Sequence, residues 1–113
     1  MNPTSYQAIS DHTRRQILDL LQKESLTAGV IAQRFRKISR PAVSKHLAVL
    51  RRSKLVLIRK HGRERIYTLN AAPLKEISDW INRYQTFWDE QLQSFKKYVE
   101  SNPKQEVNHD EES

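Results

Sequence analysis

The clearest amphipathic pattern in the chain runs from Ser39 to Arg52. Its apolar residues Val43, Leu47 and Leu50 have the spacing that places side chains on one face of an α-helix. Polar and basic residues fall largely on the other faces, and Ser39 is a favourable N-cap. The pattern predicts a helix whose apolar face, its back, is buried and whose polar and basic face, its front, is exposed to solvent.

Shorter helical segments are predicted before this helix. A short helix around residues 6–9 is followed by a second helix that begins at Asp11 or the next residue. The third opens at Leu26, with Thr27 as its cap. Gly29 lies within this third helix, where it costs roughly 1 kcal/mol relative to alanine unless close packing needs the space.

The hydrophobic period changes after the long amphipathic helix. Aliphatic and β-branched runs at residues 55–58 and 66–69 flank a polar segment that contains Gly62, where a tight turn needs a positive φ. Two such runs predict a β-hairpin. The order of helices, turn, helix and hairpin predicts a mainly α fold with a small β-hairpin, the winged helix-turn-helix.

A long apolar stripe follows the hairpin. It predicts one continuous helix over residues 73–99, which would span roughly 40 Å. Because a domain of this size cannot cover so long a stripe from one side, we expect a C-terminal dimerisation helix that packs on its mate or on the mate's first helix. The alternative is a helix that folds back on its own domain. The predicted interface residues are Tyr6, Ile9, Leu74, Ile77, Ile81, Tyr84, Trp88, Leu92 and Phe95.

Length and composition narrow the possible domain organisation, chemistry and location of the protein. The 113 residues predict one DNA-binding and dimerisation domain over residues 1–100 and a disordered acidic tail over residues 101–113. The chain has no cysteine, which excludes disulfides and thiol chemistry. With no membrane-spanning run and no signal-peptide pattern, a cytoplasmic, nucleoid-associated protein is expected, with no membrane partner.

The charge is distributed unevenly along the chain. Residues 1–70 hold 15 Lys and Arg against 4 Asp and Glu, whereas residues 71–113 hold 5 against 9. A basic N-terminal part and an acidic C-terminal part predict a polyanion partner, double-stranded DNA, for the N-terminal part alone. The alternative is a basic surface that is merely solvated.

Two segments carry the residues expected to contact DNA. On the amphipathic helix, Arg40, Ser44 and Lys45 can reach base edges in the major groove. His46 beside them has two interpretations, a phosphate contact, which we favour, or a packed helix residue. The hairpin tip is expected to touch phosphates or to enter the minor groove, through Lys60, His61, Arg63 and Arg65.

Two arginines near the start of the second helix are harder to assign. Arg14 and Arg15 are unfavourably placed against the helix dipole. They contact phosphate, or else Arg15 pairs with Asp19 four residues later. Both interpretations stay open. No catalytic residues, no metal site and no cofactor are predicted, because clustered carboxylates, ligand-like histidine spacing and glycine-rich phosphate loops are all missing.

Several motifs in register resemble the ArsR/SmtB family of winged-helix repressors. Residues 8–18 resemble its opening pattern "alsdptRrxIL", residues 43–47 match "vSxHL", and residues 50–56 match "LrxAGLV". Residues 59–69 match the wing pattern "rxGrxxyYxL". The resemblance implies a homodimeric transcriptional regulator, usually a repressor, on an operator with dyad symmetry. In that family the amphipathic helix over residues 39–52 corresponds to the recognition helix, and the hairpin over residues 55–69 corresponds to the wing. The resemblance therefore also implies DNA contacts from Ser39 and from the residues named above on the recognition helix and the wing.

The chain departs from the metal-sensing members of that family. Thr27 and Gly29 occupy the positions of the cysteine pair that many members use, and the last helix has no histidine. The stretch from Trp80 to Tyr98 resembles a metal-independent branch. No inducer can be read from the sequence, although a small apolar ligand beside Trp80 at the dimer seam is one hypothesis. The other class of function is a protein-interaction module that docks a partner through the aromatic C-terminal helix.

Overall fold

The fold is a set of helices with a small antiparallel sheet, seen in a computed structural model that describes residues 2–101. The elements follow the predicted order of a winged helix-turn-helix. They are α1 (Ser5–Ala8), α2 (His12–Lys23), β1 (Leu26–Thr27), α3 (Ala28–Arg34), α4 (Arg40–Arg52), β2 (Val56–His61), β3 (Glu64–Leu69), α5 (Leu74–Asn82) and α6 (Gln85–Ser101).

Side-chain caps begin the first four helices. The hydroxyl of Thr4 accepts from the backbone N–H of Gln7, whose side chain accepts from Thr4 in return, which closes a capping box before α1. The side chains of Asp11, Thr27 and Ser39 accept from the backbone N–H three residues on, at 2.9, 3.3 and 3.2 Å. The predicted caps of α3 and α4 are therefore confirmed.

The core lies where α2, α3 and α4 meet the base of the sheet. Each helix contributes the apolar face that its spacing predicts. Leu55, just before β2, and Val56, the first residue of β2, complete the cluster. The buried members from these elements are Ile17, Leu18, Leu21, Ile31, Val43, Leu47, Leu50, Leu55 and Val56. This core anchors the backs of α3 and α4 and leaves the front of α4 in solvent.

The sheet has one strand more than the predicted hairpin. Its order is β1-β3-β2, with both neighbouring pairs antiparallel. Leu26 was expected to open α3, and this was wrong, because it pairs with Tyr67 in β1. The hairpin itself is confirmed. Its two-residue turn lies between His61 and Glu64, and Gly62 has a φ of 64°, the sign that the first position of a type II′ turn requires.

The predicted continuous helix over residues 73–99 is wrong, because the helix breaks between α5 and α6. There Arg83 and Tyr84 donate to the carbonyls of Trp80 and Ile81, three residues back, at 3.2 and 2.9 Å. These shorter turns replace the α-helical bonds. No glycine or proline marks the break, and the apolar spacing runs through it, so the pattern could not reveal it.

The described chain divides into two compact units, one ending at Ile77 and one beginning at Ser78. They subdivide the region 1–100 for which the sequence predicts a single domain, and that assignment stays a prediction. Leu74 packs on the core of the first unit, and Ile77 is only 7% exposed. For this first part of the stripe, the alternative of a helix folded back on its own domain holds. Both residues therefore leave the set that is free for a dimer interface.

The remaining predicted interface residues differ in exposure. In the first unit, Ile9 is partly buried against the core, and Tyr6 donates through its hydroxyl to the carbonyl of Glu76 at 3.3 Å. In the second unit, the apolar residues from Trp80 to Tyr98 are about half exposed or more. Apart from Ser101, which ends α6, the predicted acidic tail lies outside the described residues. Within residues 2–101, no helix is long and apolar enough to span a membrane.

Candidate nucleic-acid interface

The front of α4 presents the predicted base-reading residues. Ser39 caps the helix and leaves Arg40 in its first turn, where the first backbone N–H groups have no helical partner. Arg40, Ser44 and Lys45 are all exposed, whereas Val43 lies in the core. The helix is thus fixed from behind, with a cationic, hydrogen-bonding front of the kind that fits a major groove.

His46 lies on the same helix but faces a different set of atoms. Its Nδ1 is 3.4 Å from Nη1 of Arg14 and 3.7 Å from Oδ2 of Asp11. The side chain is 22% exposed. These contacts support the second interpretation of this histidine, a packed helix residue, and the phosphate contact stays a prediction.

The Asp11 carboxylate beside this histidine is held in its charged form. The backbone N–H of Arg14 donates to it, and this bond is the main reason that the pKa of Asp11 lies below its ordinary value of 3.8. The charge that His46 carries when protonated lowers the pKa in the same direction, as does that of Arg14, whereas burial opposes them. One carboxylate therefore both caps α2 and lies close to His46 on α4.

Arg14 and Arg15 have a role that neither sequence interpretation anticipated. Nε of Arg14 donates to the carbonyl of Ala8 at 2.7 Å, and its Nη2 donates to that of Gln7 at 3.2 Å. Nη1 of Arg15 donates to the carbonyl of Ile9 at 2.7 Å. Both guanidiniums thus donate to carbonyls at the end of α1, which have no N–H partner in a following helical turn, although that of Gln7 also accepts from the N–H and the hydroxyl of Ser10. The proposed pairing of Arg15 with Asp19 does not occur in the structure.

The wing carries the second group of predicted contacts. Lys60 lies directly opposite Arg65 in the ladder, His61 lies opposite Glu64, and Arg63 is in the turn. All of these side chains are exposed. Because like charges placed opposite each other on neighbouring strands repel, the Lys60–Arg65 pair is stabilised when an anion such as a phosphate lies between them.

One basic segment was not among the predicted site residues. Arg36 and Lys37 lie in the turn between α3 and α4, both exposed. With Arg34 and Phe35 they line a groove of about 650 Å³ on the first unit. Their charge and their position just before α4 are the signals by which the sequence could have identified them.

The described residues do not bring together a group of three or more histidine and acidic side chains that could hold a metal ion. The prediction that no metal is bound rests on the sequence alone.

In the second unit, aromatic rings pair along the chain. Trp80 and Tyr84 meet edge to face with centroids 5.5 Å apart, and Phe87 and Trp88 do so at 5.7 Å.

Comparison with known proteins gives the family. A family model described as a helix-turn-helix domain matches residues 9–59. The transcriptional repressor SdpR of Bacillus subtilis is 41% identical over 76 residues, which cover 67% of this chain and 83% of that protein. The HTH-type transcriptional regulator Rv2034 of Mycobacterium tuberculosis is 36% identical over 97 residues, covering 86% of this chain and 87% of the relative.

Solved structures agree with these relatives. An ArsR-like transcriptional regulator from Rhodococcus sp. RHA1 superposes with a TM-score of 0.62 at 34% identity, over 83% of this chain and 88% of that one. Another ArsR family regulator gives a TM-score of 0.64 at 28% identity, over 74% and 91% of the two chains. The relatives are regulators of transcription and not enzymes. The chain therefore belongs to the ArsR-type family of winged helix-turn-helix transcriptional regulators, which bind DNA.

Proposed function

We propose that the protein is a homodimeric repressor that binds a dyad-symmetric operator near its own or adjacent genes. The observation that carries the proposal is the front of α4, where Arg40, Ser44 and Lys45 are exposed over a fully buried back. The names of the relatives favour repression, since SdpR and two arsenical resistance regulators are called repressors. HlyU of Vibrio cholerae, which is called an activator, is also a relative. A DNA-binding regulator acts where the chromosome lies, which supports the expected cytoplasmic, nucleoid-associated location.

Within this proposal, α4 and the wing have different tasks. Arg40, with Ser44 and Lys45, reads base edges, and a good bidentate contact discriminates between bases by about 1–3 kcal/mol. Arg63 and Arg65 on the wing neutralise phosphates, which adds affinity without sequence preference. Lys60 and His61 on the wing are further candidates for phosphate contacts, and so is His46, through ring atoms that Arg14 and Asp11 do not occupy.

The proposed dimer uses the exposed apolar face of α6. Phe87, Trp88, Leu92 and Phe95 are 51–66% exposed, although they are large and apolar. Exposed apolar patches of this kind mark interaction sites in soluble proteins. A second copy of the chain is the proposed occupant, because a two-fold pair of winged helices matches half-sites about one helical turn apart, roughly 34–36 Å.

Selection of bound sequences from a random DNA pool tests the reading of bases. We expect wild type to recover a sequence with two-fold symmetry. Arg40→Ala should relax the preference at one position of each half-site, at a cost of about 1–3 kcal/mol for the preferred base. Arg63→Ala should weaken binding to all sequences about equally. It should also reduce the slope of the log binding constant against the log salt concentration by about one. Recovery of unrelated sequences by wild type would contradict the proposal.

Sedimentation equilibrium tests the dimer. We expect wild type to sediment as a dimer and Leu92→Lys to shift towards the monomer, because a lysine at this position places a charge in an apolar contact. Asp89→Lys lies on the same helix and introduces the same residue at a site that is already charged, so it serves as the matched control. A wild-type monomer would instead favour the protein-interaction module, with its aromatic helix free for a foreign partner.

A further inference from the structure

One side chain reaches from the end of α1 to the DNA-reading helix. Arg14 donates to the carbonyls of Ala8 and Gln7 with two of its nitrogens, and its third nitrogen lies 3.4 Å from Nδ1 of His46 on α4. The side chain is part-buried, and its own backbone N–H is bound by Asp11. Each nitrogen of the guanidinium thus has a partner, which fixes the group in the junction of α1, α2 and α4.

The chemistry of this junction restricts the state of the histidine. A guanidinium only donates hydrogen bonds and stays protonated, so Nδ1 of His46 must accept if it bonds to Arg14. An accepting Nδ1 places the proton of the neutral ring on Nε2. The alternative contact, from Nδ1 to Asp11 at 3.7 Å, needs a proton on Nδ1 instead. The two neighbours therefore favour opposite arrangements of the same ring.

We propose that Arg14 is a positioning residue for DNA binding, which holds His46 as the tautomer with its proton on Nε2 and ties α4 to the end of α1. The inference rests on the proposed role of α4 as the helix that reads DNA. A ring held in this form can donate from Nε2 to a phosphate, which unites the packed position of His46 with its predicted contact.

Nitrogen NMR of the imidazole side chains tests the tautomer without DNA. At a pH where imidazoles are neutral, we expect the resonances of His46, assigned by their loss in His46→Gln, to show the Nε2-protonated form in wild type. Arg14→Met keeps the length of the side chain and removes its donors, so it should give a mixture of tautomers. Arg14→Lys should do the same, because one ammonium cannot replace three directed donors, and it replaces Arg14→Met if the latter is unfolded. An unchanged tautomer in the folded variants would overturn the proposal.

DNA binding supplies the second measurement, with a duplex that wild type has selected from a random pool. We expect Arg14→Met to weaken binding about tenfold, the scale of one charge-assisted hydrogen bond. In a His46→Gln background the same change should cost no more than about twofold, because the two residues act as one unit. Equal losses in both backgrounds would refute a role through His46.

Two controls separate positioning from simpler explanations. Arg15→Met also removes a guanidinium from the end of α1, but Arg15 has no contact with α4 among the bonds of the described residues, so affinity and tautomer should stay close to wild type. The salt dependence of binding should be unchanged in Arg14→Met, since a lost phosphate contact would reduce its slope by about one. A comparable loss in Arg15→Met, or a reduced slope in Arg14→Met, would contradict the inference. If wild type selects no sequence, the proposed function fails, and the NMR result still decides the state of the ring.

Discussion

At the end of α4, replacing a lysine with glycine is expected to raise the stability of the folded protein. Lys54 follows the helix with a φ of 65°, the left-handed conformation that glycine adopts most easily. The backbone N–H of Lys54 donates to the carbonyl of Arg51, and that of Leu55 donates to the carbonyl of Leu50, both at 3.0 Å. This is a Schellman motif, in which glycine is the usual residue at the position of Lys54. We expect Lys54→Gly to stabilise the protein.

The size of the effect is a balance of opposing contributions. A residue with a Cβ costs about 1–2 kcal/mol in the left-handed conformation, and glycine removes that cost. Glycine in turn loses more backbone entropy on folding, which returns about 0.5–1 kcal/mol. The lysine charge near the end of α4 also favours the helix dipole, by about 0.3–1 kcal/mol at most. Lys54 is exposed, so its charge is given the low figure of about 0.3 kcal/mol. With about 1.5 kcal/mol for the strain and about 0.75 kcal/mol for the entropy, the net gain for Lys54→Gly is about 0.5 kcal/mol.

Lys54→Ala is the matched control, because it removes the same charge and keeps a Cβ. The alanine variant should be less stable than the glycine variant by about 0.5–1 kcal/mol, the reverse of their order inside a helix. Urea unfolding of the three proteins gives the difference from the midpoints, provided that the slopes agree. The side-chain amide of Asn70 donates to the backbone carbonyl of Lys54 at 2.7 Å, and because this acceptor is a backbone atom, the bond is retained in both variants. If alanine equals or exceeds glycine, the strain argument is refuted.

Further predictions concern helix starts and pH. Gly29→Ala should stabilise the protein by about 0.5–1 kcal/mol in the same urea assay, because an added Cβ meets nothing within 4 Å, and a loss would show that the site needs the space after all. Ser39→Ala should cost about 1 kcal/mol of stability, whereas Ser39→Asp should retain the cap but weaken DNA binding by placing a carboxylate at the proposed groove contact, so equal DNA affinity for wild type and Ser39→Asp would argue against that contact. Because the pKa of Asp11 is lowered in the folded state, its charged form contributes stability above the ordinary value of 3.8, and this contribution is lost as pH falls through the folded pKa. Asp11→Asn keeps a capping oxygen but does not titrate, so thermal unfolding should show wild type losing its advantage over this variant on acidification; a constant difference would contradict the assignment.

The parts of the fold that the sequence predicts correctly are those with local signals. The caps at Thr27 and Ser39 depend on a side chain and a backbone N–H three residues apart. The apolar spacing of α4 is likewise contained within the helix. Strand β1 is different, because Leu26 is recognised as a strand residue only through Tyr67, which is far away in sequence. A two-residue strand is too short for an alternating pattern, so propensity and period carry no information about it.

The contacts of the candidate site were harder to foresee than its residues. The exposed front of α4 follows from the helical period, so Arg40 and Lys45 could be chosen without coordinates. The position of Arg14 could not, because its bonds go to carbonyls that become available only where α1 ends and to a histidine 32 residues away. A helix-dipole argument applied to α2 alone made this arginine look unfavourable. The end of the preceding helix supplies the partners that make the position favourable.

The C-terminal stripe shows most clearly where periodicity stops being informative. A hydrophobic period identifies a face that must be covered, but it does not say which surface covers it. Leu74 and Ile77 are covered within the first unit, whereas Leu92 and Phe95, with the same spacing and similar chemistry, are 64% and 66% exposed. The change falls within α5 and has no mark in the sequence. Intramolecular and intermolecular burial stabilise a protein through the same loss of apolar surface to water, so one unbroken pattern can encode both. This is why the proposed dimer contact has to rest on the residues beyond Ile77.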